Sequence, residues 1–347
     1  MNGILAMHRK HNCEVVPHDQ RFSSAEGVKP VPRLSILIPH EASPRIESSR
    51  GKAACFENDS ALESTILSIL ENHPSECEVI VSHSGAYSDP YQLGGNEVKL
   101  IDVGDGAGLG ELLNSGLSQA SGAIVHTLLP GCVVEDGWSD AALIHFRNPE
   151  ISSVSSRLVT SDSKEHDYFS MDANFLPRRS WLHHGRSGEH GVASLCGGFY
   201  RRSSLVAASG WLGTPDQSVA RESAEAELAM IFRALGLQGV CEPDSMIKAP
   251  KRIIEGKLGG YALGHDAGRL AVAFAELLEE ARHSDSFASR LGYLAGGLLS
   301  PKSVAERLGW VLGSTDRSLV ADIRWRLARA QMELASQPQW QTMKTAA

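Results

Sequence analysis

"GLGELLNSGLSQASGAIVHTLLPGCVVEDGW", residues 108–138, decides how the rest of the chain is read. Residues 108–122 read as a helix ending at Gly122. "AIVHTLL" (123–129) reads as a short apolar strand. A Leu-Pro-Gly-Cys turn follows, and Trp138 leads into another helix over 137–148. The turn holds no carboxylate before Glu135.

Working outward, "RLSILIP" (33–39) is an apolar run closed by Pro39, the pattern of a buried strand. Residues 41–60 are rich in Ser, Pro and charge and read as a loop. "SALESTILSILENH" (60–73) places Leu62, Ile66, Ile69 and Leu70 at helical spacing, with Ser60 as a candidate N-cap. "CEVIVSHSG" (77–85) and "EVKLIDVG" (97–104) read as two further strands. Strand, helix, strand, strand, helix, strand predicts an α/β fold with a mostly parallel sheet and helical crossovers. Such sheets bind ligands at the carboxyl ends of their strands. Here those ends are Pro39–His40, Ser82–Gly85, Gly104–Gly106 and Leu129–Cys132.

Downstream, "ISSVSSRLV" (151–159) reads as a strand. Residues 161–194 are rich in His and Arg and of low regularity. "CGGFYRRSSLVAASGWLG" (196–213) reads as a strand, a turn and a short helix. Residues 223–247 read as a helix ending at Gly236, then a strand. From about 262 to 336 the pattern is helical, with one stripe at Leu270, Phe274, Leu277 and Leu278 and another at Leu319, Ile323, Leu327 and Met332. No internal repeat is present.

Apolar residues make up 42% of the 347 and charged residues 21%, which suits a packed core. The net charge of −8 disfavours a general nucleic-acid surface, so no nucleic-acid partner is expected. Six scattered cysteines without a CxxC pair read as reduced thiols in a cytoplasmic protein. No apolar run reaches the ~20 residues of a membrane helix. No transmembrane segment is expected, and peripheral association with the inner face of a membrane stays open. Residues 1–31 are polar and read as a poorly ordered leader.

The order of pieces resembles a family-2 glycosyltransferase of the GT-A fold, over roughly residues 33–250. "LSILIP" is similar to that family's first strand, and "CEVIVSHSG" to the strand that usually ends in an Asp-rich turn. Within 108–138, Asn114, Gly116, Ala120 and Gly122 fall on the Asn-x-Gly, Ala and Gly positions. "GGFYRRSSLVAASGWL" resembles the acceptor-side segment, with Gly210–Trp211 as its Gly-aromatic pair. "AEAELAMIFRALGLQGVCEPDSMI" resembles the helix carrying the Glu-Asp motif. The resemblance implies a GT-A-type domain over 32–255 and a helical C-terminal extension over 256–347. It also implies nucleotide-sugar contacts at Pro39, Ser82, His83, Asn114 and Gly131.

In that family a divalent cation held by carboxylates neutralises the diphosphate leaving group. The matching positions here are Leu129 and Gly131, neither of which can ligate through a side chain. No metal ligand is therefore assigned and no cofactor is expected, although the family commonly uses a cation. Glu135 and Asp136 come four or more residues later. Where the family has Asp, Ser82 stands, followed by His83, either of which can bond a base edge.

An inverting transferase needs a carboxylate to take the acceptor's proton. Aligning Gly236 with the family's helix-ending Gly puts Glu225 on the Glu-Asp motif. Helical spacing places Glu225 at the edge of the stripe made by Leu228, Phe232 and Leu235, and points Glu227 toward solvent. Ser223 is a candidate N-cap. His183, His184, Glu189, His190 and Cys196 are metal-capable types whose spacing matches no zinc pattern.

The implied function is transfer of a sugar, hexosyltransferase-like, from a nucleotide-sugar donor to a hydroxyl with inversion, independently of a metal. Leaving-group charge would then fall to arginines at 178–186 or 201–202. Relatives of this kind build polysaccharides, so a glycan acceptor is the expected partner. The alternative is a catalytically inactive relative, a pseudoenzyme that binds a glycan, a nucleotide or a protein. An enzyme of another reaction on a generic α/β sheet is a second alternative. "GDGAGLG" (104–110) lacks the endings of a P-loop or a dinucleotide fingerprint.

Overall fold

The computed structural model of the chain describes residues 34–41, 49–85, 87, 98–160, 165–166, 169–171, 177–179, 189–190, 193–211, 221–250, 253, 261–278 and 301–336. Strand β1 (Leu34–Glu41) is followed by α1 (Ser49–Glu71), β2 (Cys77–Ser84), β3 (Val98–Asp102), α2 (Leu109–Gln119) and β4 (Ile124–Thr127). Then come β5 (Val133–Val134), α3 (Asp140–His145), β6 (Ile151–Val159) and the short strands β7 (Glu165–His166), β8 (Phe169–Met171), β9 (Pro177–Arg179) and β10 (Glu189–His190). The chain continues through β11 (Gly198–Arg201), α4 (Arg202–Ala207), α5 (Arg221–Ala234) and β12 (Gln238–Lys248). Three helices close it: α6 (Tyr261–Leu278), α7 (Pro301–Gly313) and α8 (Val320–Ala335).

The main sheet has ten strands, with the path β10-β12-β6-β11-β4-β1-β2-β3; β5 pairs with β12 and β7 with β6 off that path. Strands β3, β2, β1 and β4 are parallel. β11 enters antiparallel between β4 and β6, and β12 is parallel to β6. The sheet is thus mixed, with a parallel half built from the segments read as crossover units.

Successive strand residues point to opposite faces, and the two faces carry two cores. Ile36, Ile38, Val79 and Val81 pack with Ile66 and Ile69 of α1 and with Trp138 and Phe199. Leu37, Ile80 and Val125 pack with Leu113 and Leu117 of α2, with α5, and with the C-terminal helices. Leu270 and Phe274 of α6 and Ile323, Leu327 and Leu334 of α8 belong to this second core.

Two helix starts differ from the sequence reading. Helix α1 begins at Ser49, so Ser60 lies inside it and not at its cap. No proline stands between Pro44 and Pro74 to stop it, and Lys52-Ala53-Ala54 favours helix. Helix α5 begins at Arg221, so Ser223 is likewise internal.

Helices α6 and α7 approach backbone to backbone. A Cβ at Gly264 would overlap the Glu306 carbonyl, and one at Gly268 the Trp310 carbonyl. In return, Gly309 lies on the Tyr261 carbonyl and Gly313 on the His265 carbonyl. Two Gly-x-x-x-Gly pairs thus face each other, a spacing that lets helices pack closely. Among the described residues, no helix is long and apolar enough to cross a membrane.

Candidate functional site

The carboxyl ends of β1 and β2 carry two histidines on one face. His40 lies directly opposite His83 in register, and both follow the alternation that buries Ile38 and Val81 against α1. Both are buried. Asp59 of α1 accepts a hydrogen bond from His40 Nε2 at 2.9 Å. His83 Nδ1 donates to the Gly85 carbonyl at 3.2 Å. Tyr87 stands beside both rings, with centroids 5.4 Å from His40 and 5.6 Å from His83.

These partners set the tautomers. A carboxylate and a carbonyl only accept, so neutral His40 carries its proton on Nε2 and neutral His83 on Nδ1. His83 then offers its Nε2 lone pair. Burial lowers the His40 pKa; Asp59 opposes that shift and His83 adds to it.

The other side chains assigned from sequence lie on different faces. Pro39 is opposite Ser82 in register, on the face toward α2. Gly116 of α2 packs so tightly here that a Cβ would stand 3.0 Å from Ser82 Oγ and 3.3 Å from Leu37. The Asn114 amide is engaged at both ends by Trp211: Nδ2 donates to its carbonyl and Oδ1 accepts from its N–H, each at 2.9 Å. The Asn-x-Gly element thus joins α2 to the Gly210–Trp211 turn and to the sheet.

The Leu-Pro-Gly-Cys turn is stitched to α1. Gly131 N–H reaches Thr65 Oγ1 at 2.8 Å and the Ala61 carbonyl at 3.0 Å. Val134 N–H donates to Ser68 Oγ at 3.2 Å, and Trp138 Nε1 to the Asn72 carbonyl at 3.3 Å. Thr65, Ser68 and Asn72 form one polar stripe of α1 facing the turn. Helix α1 therefore positions His40 through Asp59 and Gly131 through Thr65.

This turn does not fit a cation held by carboxylates. Leu129 and Gly131 supply no side-chain donor atoms, and the Gly131 N–H points into α1. Glu135 pairs with Lys248 of β12. Among the described residues no group of three His, Cys, Asp or Glu side chains could hold a metal ion. His183, His184 and Arg186 lie outside the described residues, and Glu189–His190 form β10.

Glu225 lies in α5 and is 2% exposed. Its Oε1 accepts from Leu195 N–H at 2.7 Å and from Ser194 Oγ at 2.9 Å. That turn precedes β11, whose Phe199 is opposite His126 of β4, so Ser194–Leu195 sits toward the carboxyl end of β4. Tyr200 Oη donates to the Ala193 carbonyl at 2.6 Å, and burial raises its pKa, with Glu225 adding to the shift.

Two sequence readings are corrected. Glu227 does not point to solvent: it is fully buried and paired with Arg326 of α8. Residues 224–232 of α5 are all buried, because the C-terminal helices cover the face that an isolated amphipathic helix would leave wet. Arg201 is not at the ligand-binding end. It is opposite Ile124, the first residue of β4, and donates to the carbonyls of Phe146, Asn148 and Ile151.

The sequence placed His40 at a ligand-binding strand end without assigning it a contact, and gave no role to Asp59 or Tyr87. The alternation Leu34, Ile36, Ile38, His40 carried the signal for the first. Nothing local links Asp59 to it.

No protein-family model and no curated protein matches the sequence. Solved structures do. One is the crystal structure of GalNAc-T7 with UDP, GalNAc and Mn2+, at TM-score 0.56 and 12% identity, covering 87% of this chain and 55% of that one. The chain thus spans about half the length of that protein. Another is the mannosyltransferase PcManGT from Pyrobaculum calidifontis in complex with GDP-Man and Mn2+, at TM-score 0.43 and 14% identity, covering 91% of this chain and 79% of that one. The sheet order, the antiparallel β11 and the first likeness agree: the chain has a GT-A-type α/β fold.

Proposed function

We propose that this chain is a family-2-like glycosyltransferase that binds a nucleotide-sugar donor at the carboxyl ends of β1, β2 and β4. It transfers the sugar to an acceptor hydroxyl with inversion, independently of a carboxylate-held cation. The observation that carries this reading is the cluster of the buried His40 and His83 with the partly exposed Asp59 and Tyr87. It lies at the strand ends where open α/β sheets bind ligands. The His83 Nε2 lone pair suits an N–H of a base edge, and Pro39, Ser82 and Gly131 border the same strand ends. Asn114 acts by fixing Trp211.

In the reaction Glu225 takes the acceptor proton as the acceptor oxygen attacks the sugar. The sugar–phosphate bond breaks with inversion, and a nucleoside diphosphate leaves. The arginines of 178–186 would offset its charge. On this reading residues 32–255 are the transferase domain and 256–347 its helical extension. The protein is cytoplasmic, acts on a glycan, and contributes to polysaccharide synthesis.

The test is His83→Ala in calorimetric titrations with nucleotide sugars. Loss of one buried hydrogen bond lowers affinity on the order of tenfold. Equal affinity in the variant would remove His83 from the donor site.

A second reading is favoured by the burial of Glu225 and its bonds to Ser194 and Leu195. Glu225 is then a structural carboxylate and the protein a non-catalytic binding module. Donor binding without any transferred or hydrolysed sugar would select it.

A further inference from the structure

Arg326 is the one arginine on the buried stripe of α8 formed by Val320, Ile323, Leu327, Ala330 and Leu334. Its guanidinium spans two elements of the α/β core. One nitrogen, Nη1, pairs with Glu227 of α5. Nη2 donates to the carbonyls of Ala208 at 2.9 Å and Gly210 at 2.8 Å, and Nε to Ala208 at 3.2 Å. Those carbonyls belong to the turn after α4, where Ser209 and Gly210 both have positive φ, +63° and +72°. Such a turn is conformationally costly unless its surroundings hold it.

The contacts continue from there. Trp211, next in the turn, is fixed by Asn114 and meets Tyr200 edge-on at 5.7 Å. Tyr200 donates to Ala193, which precedes the Ser194–Leu195 turn held by Glu225. One residue of α5, Ala226, separates Glu225 from Glu227. Arg326 is thus linked to the Ser194–Leu195 turn by two routes, one along α5 and one through Trp211 and Tyr200.

We propose that the C-terminal helices complete the candidate site, with Arg326 as a positioning residue. It holds the Ala208–Trp211 turn directly and the Glu225-bound turn through Glu227. The assignment of that turn to a donor or acceptor site rests on the proposed transferase reading; the mechanical link does not.

Amide hydrogen exchange of the full chain tests the link without any substrate. The reporters are the N–H groups of Leu195 and Trp211, bonded to Glu225 and Asn114. The variants are Arg326→Met and the double change Arg326→Met with Glu227→Met. The double change removes both buried charges and keeps an apolar fill, so its melting temperature stays close to that of the parent. A purely structural ion pair predicts unchanged exchange at both amides in the double variant. The positioning role predicts faster exchange at both, on the order of tenfold, with the melting temperature retained. Unchanged exchange, or a change confined to α8, overturns the proposal. Should the single variant fail to fold, the double variant decides. Calorimetry with a nucleotide sugar on the double variant then addresses the transferase reading separately: if the parent binds no donor, that reading fails while the exchange result still stands.

Discussion

Glu225 and Glu227 stand two residues apart on α5, and both are buried, on opposite faces of the helix. One carboxylate holds the Ser194–Leu195 turn and the other meets Arg326. A helix carrying buried acids on both faces has to be enclosed on both, here by the sheet side and by α6 and α8. Removing one partner of such a buried pair leaves an uncompensated charge, at about 3–5 kcal/mol.

Glu225→Gln separates the two readings of this acid. The amide keeps a carbonyl to accept from Leu195 and Ser194 but cannot take a proton. If Glu225 is the base, turnover falls by about 10² to 10⁴ while donor affinity barely changes. The control is Glu111→Gln, at an exposed position on α2, which leaves turnover unaltered. Equal turnover in parent and Glu225→Gln, measured as released nucleoside diphosphate, would take Glu225 out of the mechanism.

Stability against pH follows from two buried groups that act in opposite directions. His126 is buried between Phe199 at 4.1 Å and Trp138 at 4.7 Å. Burial drives its pKa from 6.5 to about 3, weakly opposed by the Gly198 backbone. The unfolded chain therefore binds the proton first, and stability falls as pH drops from 6.5 toward 3, by up to about 1.4 kcal/mol per pH unit. Glu227 is raised from 4.5 to about 7, chiefly by burial. The folded state binds that proton first, so acidification from 7 to 4.5 adds stability. The two offset each other between 6.5 and 4.5, and below 4.5 only the His126 loss remains. Denaturant unfolding of His126→Leu near pH 7 and near pH 4 checks this. The variant gains relative to the parent at the lower pH; parallel pH curves would contradict it.

Gly210 and Gly137 form a matched pair, each with φ of +72°. Around Gly137 a Cβ would meet nothing, whereas at Gly210 it would collide with Asn114 Oδ1. Gly137→Ala therefore costs only the left-handed backbone term, about 1–2 kcal/mol. Gly210→Ala also breaks the Asn114–Trp211 clamp and costs at least about 1 kcal/mol more. Similar melting temperatures for the two variants would show that the clamp is slack.

The parallel half of the sheet was legible because its strands are continuous apolar runs separated by helix-spaced segments. Asn114 and Gly210–Trp211 were each visible as motif positions, but their mutual contact spans 97 residues and leaves no local trace. The side chains that organise the strand ends from α1 lay partly in a stretch read as a loop, so Asp59 went unseen. Glu227 was misjudged because helical spacing describes one helix against one surface. The second surface comes from helices a hundred residues later. The close α6–α7 approach was written in Gly264, Gly268, Gly309 and Gly313, a pattern of small residues that an apolar-stripe reading passes over.

The most direct test of the central claim is calorimetric titration of the full chain with a panel of nucleotide sugars, in parallel with a divalent cation and with a chelator. A donor is expected to bind saturably with the same affinity in both conditions, since the Leu129–Gly131 turn offers no carboxylate to hold a cation. Binding that appears only with the cation, or no binding across the panel, would contradict it.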